Sequence, residues 1–234
     1  MPVTRLILSL AAALMLLSTP LRAQDSPVVV ELFTSQGCSS CPPADAYLHK
    51  LAAREDVIAL ALHVDYWDYI GWKDSFASPA WSDRQRKYAG AAGRTMVYTP
   101  QMIINGSDHV VGNRPKDVED LIDRHSSKAQ PVVVVANRSG NKVSISASVD
   151  QDIEGPFVVQ LVRYTPKQSV EIKRGENAGR TLSYANVVSE IAPLKNWNGR
   201  APLAIEAAMA GDLPGIILIQ KKDYGPIVGA AKVN

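Results

Sequence analysis

The sequence predicts an α/β domain, a central mixed sheet flanked by helices, over residues 27–127, followed by an all-β, sandwich-like domain over residues 131–234. Three observations carry this. "PVVVELFTS" (27–35) and "VIALALHVDYWD" (57–68) are apolar and rich in β-branched residues, and a helix-spaced segment lies between them. Strand, helix and strand in so short a span imply a parallel βαβ unit. Past Ser126 the grammar changes to β-branched runs punctuated by Pro, Gly and Asn at the intervals of a sandwich or barrel. The join, "SSKAQP", is polar and ends in proline, as linkers often do.

In order along the chain, Gly37 breaks the first strand, and Cys41, Ala44, Leu48 and Leu51 then recur at helical spacing. Pro42 and Pro43 are tolerated there, because the first N–H groups of a helix have no intrahelical partner. This places Cys38 at a helix N-terminus. Residues 66–78 read as an irregular, aromatic insertion. Ser78 then caps a helix that opens with Pro79 and stops at Gly90 or Gly93. "VYTPQMIINGSDHVVGN" reads as two short strands around Asn105-Gly106, a strong hairpin signal. "RPKDVEDLIDRH" is an amphipathic helix with Val118, Leu121 and Ile122 on one face. In the second half, "PVVVVANRSGNKVSISASV", "GPFVVQLVRYTP", "SYANVVSEIAPL", "PGIILIQKK" and "PIVGAAKV" read as strands, and Pro202–Ala210 fits either a strand or a helix.

Residues 1–23 have the layout of a secretory signal peptide: Arg5, an apolar run from Leu6 to Leu17, and Ala23 before a polar stretch. The run is short for a bilayer span, which takes about 20 apolar residues. Arg5 and Arg22 are its only charges, so cleavage leaves 23 of the 25 basic residues against 23 acidic ones. A neutral mature chain without clustered Lys and Arg excludes a nucleic-acid footprint. After signal cleavage nothing ties the chain to a membrane, and the expected location is periplasmic or secreted. No G-x-G-x-x-G or P-loop pattern appears, so no nucleotide is implied.

Export leads to a compartment where disulfides persist, and the chain holds only two cysteines, Cys38 and Cys41. As a staple they are badly placed. Closing so short a loop gains ~2 kcal/mol by chain entropy, against ~4.7 kcal/mol for a loop of about 100 residues. Zinc sites commonly use a second ligand pair, whereas His49, His63, His109 and His125 are scattered. Copper needs fewer ligands, and Cys38, Cys41 and His63 form a candidate set. The reading preferred over metal or staple is a redox dithiol. Cys38 attacks a substrate disulfide and Cys41, one turn later and more buried, resolves the mixed disulfide.

The order of a strand, a Cys-Ser-Ser-Cys helix, a strand, a helix, a Thr-Pro strand, a hairpin and a helix resembles the core of thioredoxin-like proteins. That resemblance implies a cis peptide bond before Pro100 and a substrate chain positioned by Pro100 with the backbone of Thr99. It also implies a buried carboxylate under the dithiol. Glu31 lies about where it should be and would take the proton of Cys41 as a general base. The chain departs from the pattern at Gly37, where thioredoxins usually carry tryptophan, and it lacks their first strand–helix unit. Thr34 lies four residues before Cys38, not three, which disfavours a peroxiredoxin mechanism. "ELFTSQGCSSCPPAD", "HVDYWD", "GWKDSF", "YTPQMIING" and "RGENAGRTLSYANVV" resemble a family of secreted bacterial proteins with this fold, a family with no settled activity to lend.

Tyr66, Trp67, Tyr69, Trp72, Phe76, Trp81 and Tyr88 crowd one stretch. Exposed there, Trp67 and Trp72 would form a wall of a peptide site; buried, they would form a satellite core. The expectation is an exported thiol–disulfide oxidoreductase that acts on a protein thiol or disulfide with an unidentified redox partner and no diffusible cofactor. Two rivals stay open: a binding or scaffold protein with a permanent disulfide, and a copper-handling protein.

Overall fold

The computed structural model describes residues 27–149 and 153–233; the expected signal peptide lies outside them. The first half follows the predicted order: β1 (Val28–Thr34), α1 (Pro42–Ala52), β2 (Val57–His63), α2 (Pro79–Ala91), β3 (Gln101–Ile104), β4 (Asp108–Val111) and α3 (Pro115–Ser126). Strands fill the rest: β5 (Val132–Ser139), β6 (Lys142–Val149), β7 (Phe157–Glu171), β8 (Thr181–Trp197), β9 (Leu203–Ala208), β10 (Gly215–Lys221) and β11 (Ile227–Lys232). The ambiguous Pro202–Ala210 segment is a strand. A 3-10 turn, Asp68–Ile70, interrupts the aromatic insertion.

The local signals act as expected. β1 and β2 pair in parallel from Val28↔Val57 to Thr34↔His63, with α1 as the crossover. Ser78 Oγ accepts the Ala80 N–H at the start of α2. Asn105 and Gly106 both adopt positive φ, 44° and 65°, in the turn between β3 and β4.

The strands do not divide where the sequence changes style. One eight-stranded mixed sheet runs β11-β10-β7-β8-β2-β1-β3-β4, and a separate antiparallel sheet runs β5-β6-β9. Strands from both sides of the "SSKAQP" segment therefore share a sheet. The junction is β8 beside β2, where Ala61 faces Val187 and the Asn186 side chain donates to the Ala59 carbonyl at 2.8 Å. The three-stranded sheet packs on the outer strands through Val134, Ile145, Phe157, Val159, Trp197 and Ile217.

Alternation along β1 and β2 separates two cores. Val28, Val30, Leu32, Ala59 and Ala61 face α1 and α3, while Val29, Phe33, Ile58, Leu60 and Leu62 face α2. The sheet curls around α2 until Ile227 N–H donates to the Asn105 carbonyl at 2.8 Å. Within the curl, Arg84 pairs with Glu31 (Nε–Oε1 2.7 Å, Nη2–Oε2 3.2 Å), the Tyr88 hydroxyl donates to Glu31 Oε2 at 2.5 Å, and the Gln220 amide donates to the Tyr88 oxygen at 3.0 Å. Burial works against the Arg84 charge, but Glu31 together with Tyr88 and Tyr224 outweighs it and holds the guanidinium pKa above its usual value. Burial raises the Tyr88 pKa well above that of a free phenol.

A buried pair of this kind reveals itself when one member is removed. Arg84→Met should destabilise the fold by about 3–5 kcal/mol in urea unfolding, because it strands a buried carboxylate. Glu31→Leu combined with Arg84→Met should recover part of that loss, with the Tyr88 hydroxyl still lacking its carboxylate acceptor and Gln220 Oε1 its Arg84 donor.

Candidate functional site

The disulfide end of the molecule is built from the turn after β1. Cys38 and Cys41 are bonded, with Cα atoms 5.4 Å apart. The helix begins later than its apolar spacing suggests. Cys41 is the N-cap of α1, and its carbonyl accepts the N–H groups of Ala44 and Asp45. Cys38 sits in the preceding turn rather than at the helix N-terminus, and it is nearly as buried as Cys41. Cys38 is 2% exposed and Cys41 0%.

The turn is held from both sides. Gln36 N–H donates to Asp74 Oδ2 at 2.7 Å, and the Trp72 indole N–H donates to Gln36 Oε1 at 2.8 Å. From the other side, the Asn177 amide donates to the carbonyls of Gln36 and Cys38, each at 3.0 Å. Next to it, Ser39 N–H donates to Glu176 Oε2 at 3.3 Å. Trp67 donates its indole N–H to the Thr99 hydroxyl at 2.8 Å. A Cβ added at Gly37 would lie 3.3 Å from Ile70 Cδ1 and 3.4 Å from Trp67 Cβ. The aromatic insertion therefore occupies the space that a large side chain at position 37 would need.

Thr99–Pro100 is a cis peptide bond. Pro100 lies close to the first turn of α1, since a Cβ at Gly112 would touch Ala44 Cβ and Pro100 Cβ, both at 3.3 Å. Of the sequence-derived candidates, Cys38, Cys41, Thr99, Pro100, Trp67 and Trp72 thus surround one turn. The insertion has a mixed fate: Tyr69 is 81% exposed, whereas Trp72 and Phe76 pack on a small core with Ile172, Leu182, Tyr184 and Val187.

Glu31 is the exception. It alternates with Val29 and Phe33 on the α2 side of β1, the face opposite α1, and both its oxygens are engaged in the Arg84 cluster. The general base expected at Glu31 is therefore on the wrong side of the sheet. The carboxyl on the correct side is Asp45, one turn after Cys41 in α1 and 4% exposed. Thr34 Oγ–H donates to Asp45 Oδ1 at 2.8 Å. Burial lifts the Asp45 pKa to about 7, against the lowering effects of His63 and the Thr34 hydroxyl; Asp74 adds a smaller rise.

His63 pairs with Thr34 in the ladder and so shares the α1 face. Its Nδ1 lies 2.8 Å from Asp74 Oδ2, and its ring stacks edge-on to Tyr184 at 4.7 Å. Since a carboxylate faces Nδ1, that nitrogen carries the proton. Asp45 Oδ2, His63 Nε2 and the Tyr184 hydroxyl are buried without a partner among the described residues. Among those residues no group of three or more His, Cys, Asp or Glu side chains is arranged to hold a metal. His63 is thus a carboxylate-bonded interior residue. A cleft of about 450 Å³ between α2 and the β10–β11 turn, lined by Trp81, Arg84, Lys87, Gln160, Gln220 and Tyr224, shares no residue with this site.

Residues 29–219 match the family described as "Protein of unknown function (DUF1223)". The chain belongs to that family. It is also similar to a crystal structure of a protein from Agrobacterium tumefaciens, at 34% identity and a TM-score of 0.75, covering 88% of this chain and 93% of that one. HBP35 of Porphyromonas gingivalis shares the fold at 15% identity and a TM-score of 0.64, covering 88% of this chain and 74% of that one. No curated protein matches the chain. The family description assigns no chemistry, so the site rests on its own residues.

Asp45, Asp74 and Asn177 were not anticipated from sequence. Asp45 carried a signal: it stands four residues after Cys41 and so shares a helical face with it. Its shifted ionisation gives a stability test. Between the unfolded value of 3.8 and the folded value of about 7, the native state holds a proton that the unfolded chain has lost. Stability from this group is full below the unfolded pKa and is lost as pH rises through the folded one. Asp45→Asn should flatten the decline in melting temperature across that interval and raise stability at pH 8, by at most about 4 kcal/mol.

Proposed function

We propose that this protein is an exported thiol–disulfide oxidoreductase acting on protein substrates, with a thioredoxin-like unit over residues 27–127 and a β-rich remainder. The observation that carries the reading is a bonded Cys38–Cys41 pair at the start of α1, with the buried carboxyl of Asp45, near pKa 7, one turn away. The parallel β1–α1–β2 unit, the β3–β4 hairpin opened by Pro100, and α3 support the thioredoxin-like part. Among the described residues no helix is long and apolar enough to cross a membrane.

In the oxidising direction, a substrate thiolate attacks Cys38 Sγ. The Cys38–Cys41 bond breaks, and the leaving Cys41 sulfur takes a proton from neutral Asp45. The second substrate thiolate then attacks its own sulfur in the mixed disulfide and expels Cys38. Two electrons have moved from the substrate to the protein pair. In the reducing direction each step reverses, with ionised Asp45 as the base. Trp67, Thr99 and Pro100 would line the path of the substrate chain, whereas Trp72 belongs to the small core behind it.

One observation favours the rival reading of a permanent disulfide: both sulfurs are buried. A redox titration with thiol trapping separates the two. An exchange-competent pair should titrate above about −300 mV, where structural disulfides lie below. Cys41→Ser should accumulate thiol-sensitive adducts with exported proteins through Cys38, and Cys38→Ser should accumulate none. A potential below that range, with no adducts on Cys41→Ser, assigns the bond a structural role.

A further inference from the structure

We propose that the tip of the β7–β8 hairpin, residues Ile172–Arg180, is a latch that sets access to the disulfide. The tip is almost entirely solvent-facing: Lys173, Arg174, Gly175, Glu176, Ala178, Gly179 and Arg180 are exposed. Asn177 in its middle is 1% exposed. A polar residue at a loop apex is normally solvated, so its burial needs a cause. That cause is the turn before the cysteines. The Asn177 amide gives its two N–H bonds to the Gln36 and Cys38 carbonyls, while its own oxygen accepts from Arg180 Nη1 at 2.9 Å, which fixes the amide's orientation. Glu176 takes the N–H of Ser39, the first of the two residues between the cysteines.

The tip is also a self-contained unit. Gly179 N–H donates to the Ile172 carbonyl at 2.8 Å and Ile172 N–H to the Arg180 carbonyl at 2.9 Å, closing its neck. Ile172 is fully buried in the small core with Tyr184 and Trp72. The tip's polar hold on the cysteine turn is three hydrogen bonds, two buried and one exposed, few enough for the segment to open locally rather than with the whole fold. With Cys38 2% and Cys41 0% exposed, both cysteines are closed to a polypeptide in this state, and the tip is bonded to the backbone on either side of Cys38. Release of Asn177 and Glu176 therefore precedes attack on Cys38. The biological role of the latch rests on the exchange reading above, whereas access to the sulfurs can be measured without it.

The test follows reduction of the native oxidised protein by excess dithiothreitol, which closes to its own cyclic disulfide as the protein bond takes up two electrons and two protons. Released thiols are alkylated and counted by mass. Asn177→Ala should accelerate reduction roughly tenfold, as expected for loss of buried hydrogen bonds. Glu176→Gln, at an exposed position, should accelerate it less, and Lys142→Ala on the separate sheet should leave it unchanged. The rate should be insensitive to low urea, since local opening exposes little surface. Rates equal to wild type in both tip variants would overturn the latch, as would a wild-type rate that climbs with urea in step with global unfolding. If the tip variants respond but Cys41→Ser captures no substrate, the latch stands and the exchange function fails.

Discussion

The site depends on the addition of β8 to the parallel edge of β2. That seam is narrow: one ladder pair, Ala61 with Val187, and the Asn186 side chain standing in for a backbone donor at the Ala59 carbonyl. Asn186 has φ 48°, a left-handed conformation that asparagine tolerates better than most residues. The irregularity lets a 17-residue strand pair with β7 along its length and still meet β2 near its middle. Everything beyond the seam follows from it. Tyr184 comes to lie on His63, and the hairpin tip comes to lie on the cysteine turn.

The second constraint is the two-residue period of β1. Because successive side chains point to opposite faces, Thr34 faces α1 and the disulfide while Glu31 faces α2. Two of the buried carboxyls thus have separate tasks. Glu31 is paired with Arg84 and hydrogen-bonded by Tyr88, and it stiffens the interior of the curled sheet. Asp45 has one hydroxyl donor and no cation in contact, so burial dominates and its pKa rises to about 7. The difference lies in the partners, since both carboxyls are almost fully buried.

Where a signal was local, the sequence was readable. The proline-opened helices, the Asn105-Gly106 turn and the βαβ unit each depend on residues within a few positions of one another. The face taken by Glu31 was partly legible: Val29, Glu31 and Phe33 share a side, but which side α1 covers is a tertiary fact. The sharing of one sheet by both halves was not legible, because the β-branched runs of β7, β8 and β10 look the same in a sandwich as in an extension of a mixed sheet. Asn177 carried no pattern at all. Its meaning comes from carbonyls 139 and 141 residues away in the chain, and no spacing rule reaches that far.

Burial of the disulfide bears on its chemistry in a way that exposure alone does not capture. A solvent-free pocket tolerates one negative charge far better than two. When the Cys38–Cys41 bond is reduced, the new charge appears beside Asp45, which already lies in a region shared with Asp74. Under the proposed exchange the two electrons would arrive with protons, and Asp45, its pKa raised to about 7 by burial, would be placed to exchange one of them. A structural disulfide alone does not require such a group, and Asp45 bears a desolvation penalty that an apolar residue would not. Retaining an ionisable carboxyl there, on the same face as the sulfurs, makes sense where the bond is made and broken. If the bond exchanges as proposed, the burial that shields it also couples its potential to pH.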